Sequence, residues 1–238
     1  MADAFNIIAY TLCAGLCIPL GGALASIENL RPHWLDNESR HFIIAFGGGI
    51  LVAAVALILI PEGTAYMHHT PLTIVVFLCG GICFFALEYA LGMRHQEKPQ
   101  LTAMLLDYIP ESLALGGAFA IGAQSAPLLA LFIGLQNIPE GFNAYRELRT
   151  APALKRPHIF YFMLLLAPIG PVIGLLGWLY LSDKPMVLGA IMLFAAGGIL
   201  YLIFQDIAPQ SRMNRHWAPP LGAVLGFSVG MLGHHMLQ

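Results

Sequence analysis

Two short segments carry the groups able to do chemistry, LDYIPESLALG (residues 106–116) and LQNIPEGFNAY (residues 135–145). Written in register, Asp107-Tyr108-Ile109-Pro110-Glu111 stands against Gln136-Asn137-Ile138-Pro139-Glu140. In each, a polar side chain precedes a glutamate by four residues. On a helix that spacing places both side chains on one face, with Cβ atoms about 5–6 Å apart. The proline inside each motif removes a backbone donor and is expected to kink its helix, leaving carbonyl oxygens near the polar face. Carboxylates, amides and freed carbonyls make an all-oxygen donor set with no imidazole. Such a set suits hard divalent cations such as Mn²⁺, Mg²⁺ or Ca²⁺, and carboxylates also bind Zn²⁺ and Fe²⁺.

The chain around these motifs is too apolar for a soluble protein. Of its 238 residues, 58% are hydrophobic and 10% charged, against about 25% charged in a soluble domain. The mean hydropathy is +0.74. Net charge is −2, which gives no reason to expect nucleic-acid binding. The N-terminus, MADAFNIIAY, has no positive region of the kind that begins a cleaved leader, so the first helix is expected to act as its own insertion signal. Within a bilayer each of Asp107, Glu111 and Glu140 costs about 2.5–3.5 kcal/mol on insertion scales. No lysine or arginine lies mid-span to offset them. The acids are then protonated and hydrogen-bonded, part of a proton relay, or bound to a cation.

A membrane helix needs about 20 mostly apolar residues. Eight segments meet that length: 5–26, 42–63, 71–92, 101–122, 126–146, 158–181, 186–208 and 218–237. Together they predict an all-α membrane protein, one polytopic domain over residues 1–238. With the N-terminus placed outside, the inner connections hold Arg31, Arg40, Arg94, Lys98, Arg146, Arg149, Lys155, Arg156, Arg212 and Arg215, and only Lys184 of the 11 basic residues falls outside. That asymmetry predicts eight spans with both termini outside.

FGGGILVAAVALILIPEG (46–63) and FAAGGILYLIFQDIAPQS (194–211) share a leading phenylalanine, a glycine three residues later, and prolines Pro61 and Pro209 in the same register. IPLGG (18–22) and APIGP (167–171) match loosely. Segments 1–3 and 6–8 therefore read as an inverted repeat around segments 4 and 5, an arrangement common in secondary transporters. Cys13, Cys17, Cys79 and Cys83 form two i,i+4 pairs and read as small side chains at helix contacts. His68, His69, His234 and His235 fall at the outer ends of segments 2 and 8, where they could collect metal or simply face solvent. Glu88, Gln205 and Asp206 lie near the inner face, lining an exit path or meeting headgroups. There is no HExxH, no GxSxG and no phosphate-binding glycine loop, so the chain does not read as an enzyme and no organic cofactor is implied.

Pro-Glu preceded by a polar residue on consecutive segments, within eight short-looped spans, resembles the ZIP family of divalent-metal transporters over the whole chain. QNIPEG is the most specific piece, and residues 46–63 and 194–211 resemble the family's second and seventh helices. The resemblance implies transport of a divalent cation (Zn, Fe, Mn, Co or Cd) into the cytoplasm. It implies a homodimer in the lipid bilayer, an elevator-like movement of helices 1, 4, 5 and 6, and location in a bacterial inner membrane. Carried over by position, the metal ligands are Asp107, Glu111, Gln136, Asn137 and Glu140. Asp107 stands where the family usually has histidine, Tyr108 where it has asparagine, Ile58 where it often has histidine, and Ala167-Pro168-Ile169-Gly170 where Glu-Pro-x-Gly is frequent. These departures imply one principal ion rather than two. The connection MRHQEKPQ (93–100) lacks the family's frequent histidine run. A metal-binding regulatory homologue without transport, and an intramembrane acid–base enzyme, are the alternative readings.

Overall fold

A computed structural model describes residues 2–30, 37–68, 71–90, 99–150, 156–213 and 217–236. His69 and the connections carrying Arg31, Arg94, Lys98, Lys155 and Arg215 lie outside the described residues. Among those described there are helices and turns and no strand. Helix α1 is Ala2–Leu30. Helix α2 begins as Asn37–Ala54, passes through a π-helical turn at Val55–Leu59 and continues as Ile60–Tyr66. Helices α3, α4 and α5 are Leu72–Ala90, Pro99–Ala120 and Ala126–Thr150. Helix α6 is broken into Arg156–Leu166 and Ile169–Leu181. Helix α7 is Pro185–Leu202, a π-helical turn at Ile203–Ile207, and Ala208–Ser211. Helix α8 is Pro219–His235.

Among the described residues, five stretches are long and apolar enough to cross a membrane: Ala4–Ile27, Glu38–Tyr66, Leu72–Ala90, Pro157–Leu181 and Pro185–Ser211. That is the pattern of an integral membrane protein. The acid-bearing helices α4 and α5 fall outside this set. They lie in the centre, where Met104, Tyr108, Leu115, Phe132 and Ile133 are fully buried. Helix α3 is peripheral, with Ile74, Val75, Leu78 and Ile82 all more than half exposed.

The interruptions of α-helical backbone fall away from the two Pro-Glu motifs. Helices α4 and α5 remain α-helical through Pro110 and Pro139. The π-turns instead precede Pro61 and Pro209, in the same register of the two similar stretches. A π-turn widens the helix by one residue, which moves the preceding carbonyls away from a proline ring that cannot donate to them. The single span expected at 158–181 is interrupted at Ala167–Pro168. There Pro168 and Pro171 each lack the N–H that the carbonyl four residues back requires.

The helices associate in parallel pairs through glycines that bring backbone onto backbone. A Cβ on Gly141 would run into the Ile18 carbonyl and one on Gly21 into the Ile138 carbonyl, joining α1 to α5. Gly116 on Gly174 and Gly177 on Leu113 join α4 to α6 in the same way. Gly226 on Phe46 and Gly49 on Ala223 join α8 to α2. Gly80 on Phe194 and Gly197 on Phe77 join α3 to α7. The last two pairs correspond at the same offset that relates Phe46 to Phe194, Pro61 to Pro209 and the two π-turns. Between α1 and α6, however, Ile18 corresponds to Gly174, not Ala167. The loose match of IPLGG to APIGP is therefore two helical turns out of packing register. Likewise α4 and α5 correspond with Glu111 opposite Gln136, one turn away from the alignment of the two Pro-Glu motifs. Helix α1 runs antiparallel to α6, as Gly15 meets Ala167 while Thr11 and Ile7 meet Gly174, and α2 runs antiparallel to α7, as Gly63 meets Gly189 while Gly48 meets Ile207.

Candidate metal centre

The i,i+4 spacing does what helical geometry requires. Asp107 and Glu111 stand on the inner face of α4, and Gln136, Asn137 and Glu140 on the inner face of α5. Their exposures are 3%, 0%, 0%, 1% and 5%, so all five are removed from solvent. The two helices are tied at this level by Gln136 Nε2, which donates to Glu111 Oε2 at 2.6 Å. Asn137 Nδ2 donates to the Ala14 carbonyl at 2.9 Å, anchoring the site to α1. Asp107 lies beside Glu140.

What remains unpaired defines the chemistry. Asp107 Oδ1, Glu111 Oε1, Gln136 Oε1, Asn137 Oδ1 and both Glu140 oxygens are buried with no hydrogen-bond partner. Buried polar atoms are nearly always satisfied, and a desolvated acceptor left without a donor costs about 1–3 kcal/mol, more when charged. Six such oxygens on two neighbouring helices call for protons or a cation. Among the described residues, no group of three or more His, Cys, Asp or Glu side chains is gathered as a metal site by itself. A cation here would have to use the amide oxygens or water as well, or draw one acid inward.

Tyr108 turns away from the acids. Its hydroxyl points at the Ala167 carbonyl, 3.5 Å away across the break in α6. Gly15 and Gly170 have no side chain to obstruct it. The phenol and Ala167 thus meet in the contact of α4 with α6. Ser112, 1% exposed beside Tyr108, is a buried hydroxyl that the sequence reading did not single out.

Among the described residues, His68, His234 and His235 are not gathered as a metal-holding group. His68 is exposed at the end of α2 with φ 55°, His234 is half-buried and His235 exposed. His234 instead lies near Glu62, which has Tyr66 and Ser125 beside it. Nothing in the spacing pointed to that neighbourhood, since Ser125 comes from the connection before α5. On the other side, Glu88 accepts a hydrogen bond from Tyr201, with Asp206 nearby and Gln205 exposed. The four cysteines are free. Cys17 packs against Gly134, Cys13 lines the groove between α1 and α5, and Cys79 is exposed.

No protein-family model matches the chain, and no curated protein matches it either.

Proposed function

We propose that this protein carries a divalent metal cation across a membrane and is a divergent transporter of ZIP type. The observation that carries the reading is the set of six unpaired buried oxygens on α4 and α5. Their donors are carboxylate and amide, the set that holds hard and borderline divalent ions. The ion is the cargo, and Asp107, Glu111, Gln136 and Glu140 hold it, with Asn137 contributing through Oδ1.

The proposed topology has eight spans, both termini outside and an inverted repeat of α1–α3 and α6–α8 around α4 and α5. It is supported by the asymmetry of the basic residues, the antiparallel course of α1 against α6 and of α2 against α7, and the recurrence of the same glycine contacts. Binding sites at the centre of such repeats, beside interrupted helices, are the general pattern of secondary transporters. Inward movement into the cytoplasm, a homodimer, a bacterial inner membrane and an elevator-like shift follow from the resemblance and belong to the same proposal.

The test is uptake of Zn²⁺, Fe²⁺, Mn²⁺, Co²⁺ and Cd²⁺ into proteoliposomes containing the full chain. Flux of at least one ion above protein-free vesicles is expected. Binding without flux would favour a regulatory homologue, and neither binding nor flux would refute the metal reading altogether.

A further inference from the structure

A narrow cavity lies beside Glu140. Gly47 and Gly48 of α2, Pro139, Glu140 and Asn143 of α5, and Ile207 in the π-turn of α7 line it. Its volume is about 10 Å³, roughly the room one water needs. Besides Ile44, helix α2 meets the cavity with two glycines, where a larger residue would not fit. A Cβ on Gly47 would lie 2.6 Å from Pro139 Cγ, and one on Gly48 would lie 2.8 Å from Ile207 Cγ2. Asn143 stands three residues after Glu140, on the same helical face and one turn further along α5. Glu140 is 5% exposed, and neither of its oxygens has a partner.

We propose that Glu140 and Asn143 form a second cation position, occupied after the Asp107–Glu111–Gln136–Glu140 cluster by an ion moving toward the Arg146 end of α5. The inference rests on the cation-transport reading and adds the route and the residue that sets its rate. The cavity is too tight for a hydrated divalent ion, so the ion must shed waters to enter. Glu140 travels with it as the shared charged ligand, and Asn143 Oδ1 replaces a lost water. A neutral oxygen suits a step that must bind well enough to admit the ion and weakly enough to release it. The glycine wall and the π-turn are the parts whose separation would widen the route.

The experiment uses the full chain and Mn²⁺ as the probe. Equilibrium Mn²⁺ binding is measured by electron paramagnetic resonance in detergent, and uptake in proteoliposomes, for wild type, Asn143→Ala and Asn143→Ser. The expected result for Asn143→Ala is a Kd within about twofold of wild type and an unchanged KM, with maximal uptake lowered about tenfold, the scale of one lost polar contact. Asn143→Ser, which restores an oxygen, should recover most of the rate. Uptake by Asn143→Ala equal to wild type overturns the proposal. So does a parallel loss of Kd and rate, or a serine variant as slow as alanine. A wild type that neither binds nor carries Mn²⁺ overturns the proposal for this ion, and one that carries none of Zn²⁺, Fe²⁺, Mn²⁺, Co²⁺ and Cd²⁺ removes the underlying reading as well.

Discussion

Gln136 and Glu111 occupy corresponding positions in the packing of α5 and α4, and they meet each other: Gln136 Nε2 donates to Glu111 Oε2 at 2.6 Å. The bond satisfies one oxygen of the acid and leaves Glu111 Oε1 and Gln136 Oε1 free on the same side. It thereby fixes the separation of the two helices while keeping two acceptors available. The amide is needed for this arrangement. A carboxylate at residue 136 would add a fourth negative charge, and an apolar residue would leave Glu111 without its donor.

Gln136→Leu should therefore weaken cation binding and destabilise the protein by about 1–3 kcal/mol, the cost of leaving a buried acceptor unpaired. Thermal unfolding in detergent with and without Mn²⁺ checks this. A variant as stable as wild type with unchanged Mn²⁺ affinity would refute a role for the pair.

Glu140→Gln should abolish or greatly reduce uptake, because it removes the charge common to both proposed positions. The metal-free variant is expected to unfold at a higher temperature than wild type, since one unpaired buried charge near Asp107 is gone. The stabilisation that a bound ligand confers, about 2.7 kcal/mol at a hundredfold excess over Kd, should be lost. Glu111→Gln should likewise lose uptake. A full Mn²⁺-induced shift in either variant contradicts the site.

Uptake at subsaturating Mn²⁺ should fall as pH is lowered. The acids must shed protons before they coordinate, so protons and cations compete for the same oxygens. Each proton displaced weakens apparent affinity by up to about tenfold per pH unit in the range where it is bound. Uptake measured between pH 7.5 and 6 at fixed Mn²⁺ tests the sign, and a rising rate would oppose the competition.

The glycine contacts differ in how much room they leave. A Cβ on Gly116 would run into the Gly174 carbonyl, whereas one on Gly81 would sit 3.4 Å from the Gly197 oxygen, an ordinary contact. Gly116→Ala should cost about 1–3 kcal/mol or more through overpacking between α4 and α6. Gly81→Ala should be neutral or slightly stabilising, because alanine favours a helix over glycine by about 1 kcal/mol. Thermal unfolding of the two variants in parallel separates these outcomes.

The site was readable because helical spacing is rigid. Once residues 106–116 and 135–145 are helices, four-residue separation forces Asp107 beside Glu111 and Gln136 beside Glu140, and the long apolar stretches around them imply a bilayer-scale helical fold. The recurrence of Phe46, Gly49 and Pro61 as Phe194, Gly197 and Pro209 marked where the two π-turns would correspond. Which residues meet between helices was not readable, because axial shift and rotation are set by where backbones can approach. Gly141 and Gly116 decided that Glu111 faces Gln136 instead of pairing by motif, and that Ile18 corresponds to Gly174. Local proline chemistry also gave no order of priority. Pro110 and Pro139 are carried within intact helices, whereas Pro168 and Pro171, two adjacent losses of a donor, break α6. Asn143 and Ser125 became visible only when α2, α7 and α8 folded against α5 and its preceding turn. The sequence by itself determined the helices, their apolar character and the oxygen chemistry of the acid face, since these depend on composition and a fixed period. Tertiary structure decided the register, the unpaired oxygens and the narrow cavity beside Glu140, since these depend on how closely glycine-faced helices come together.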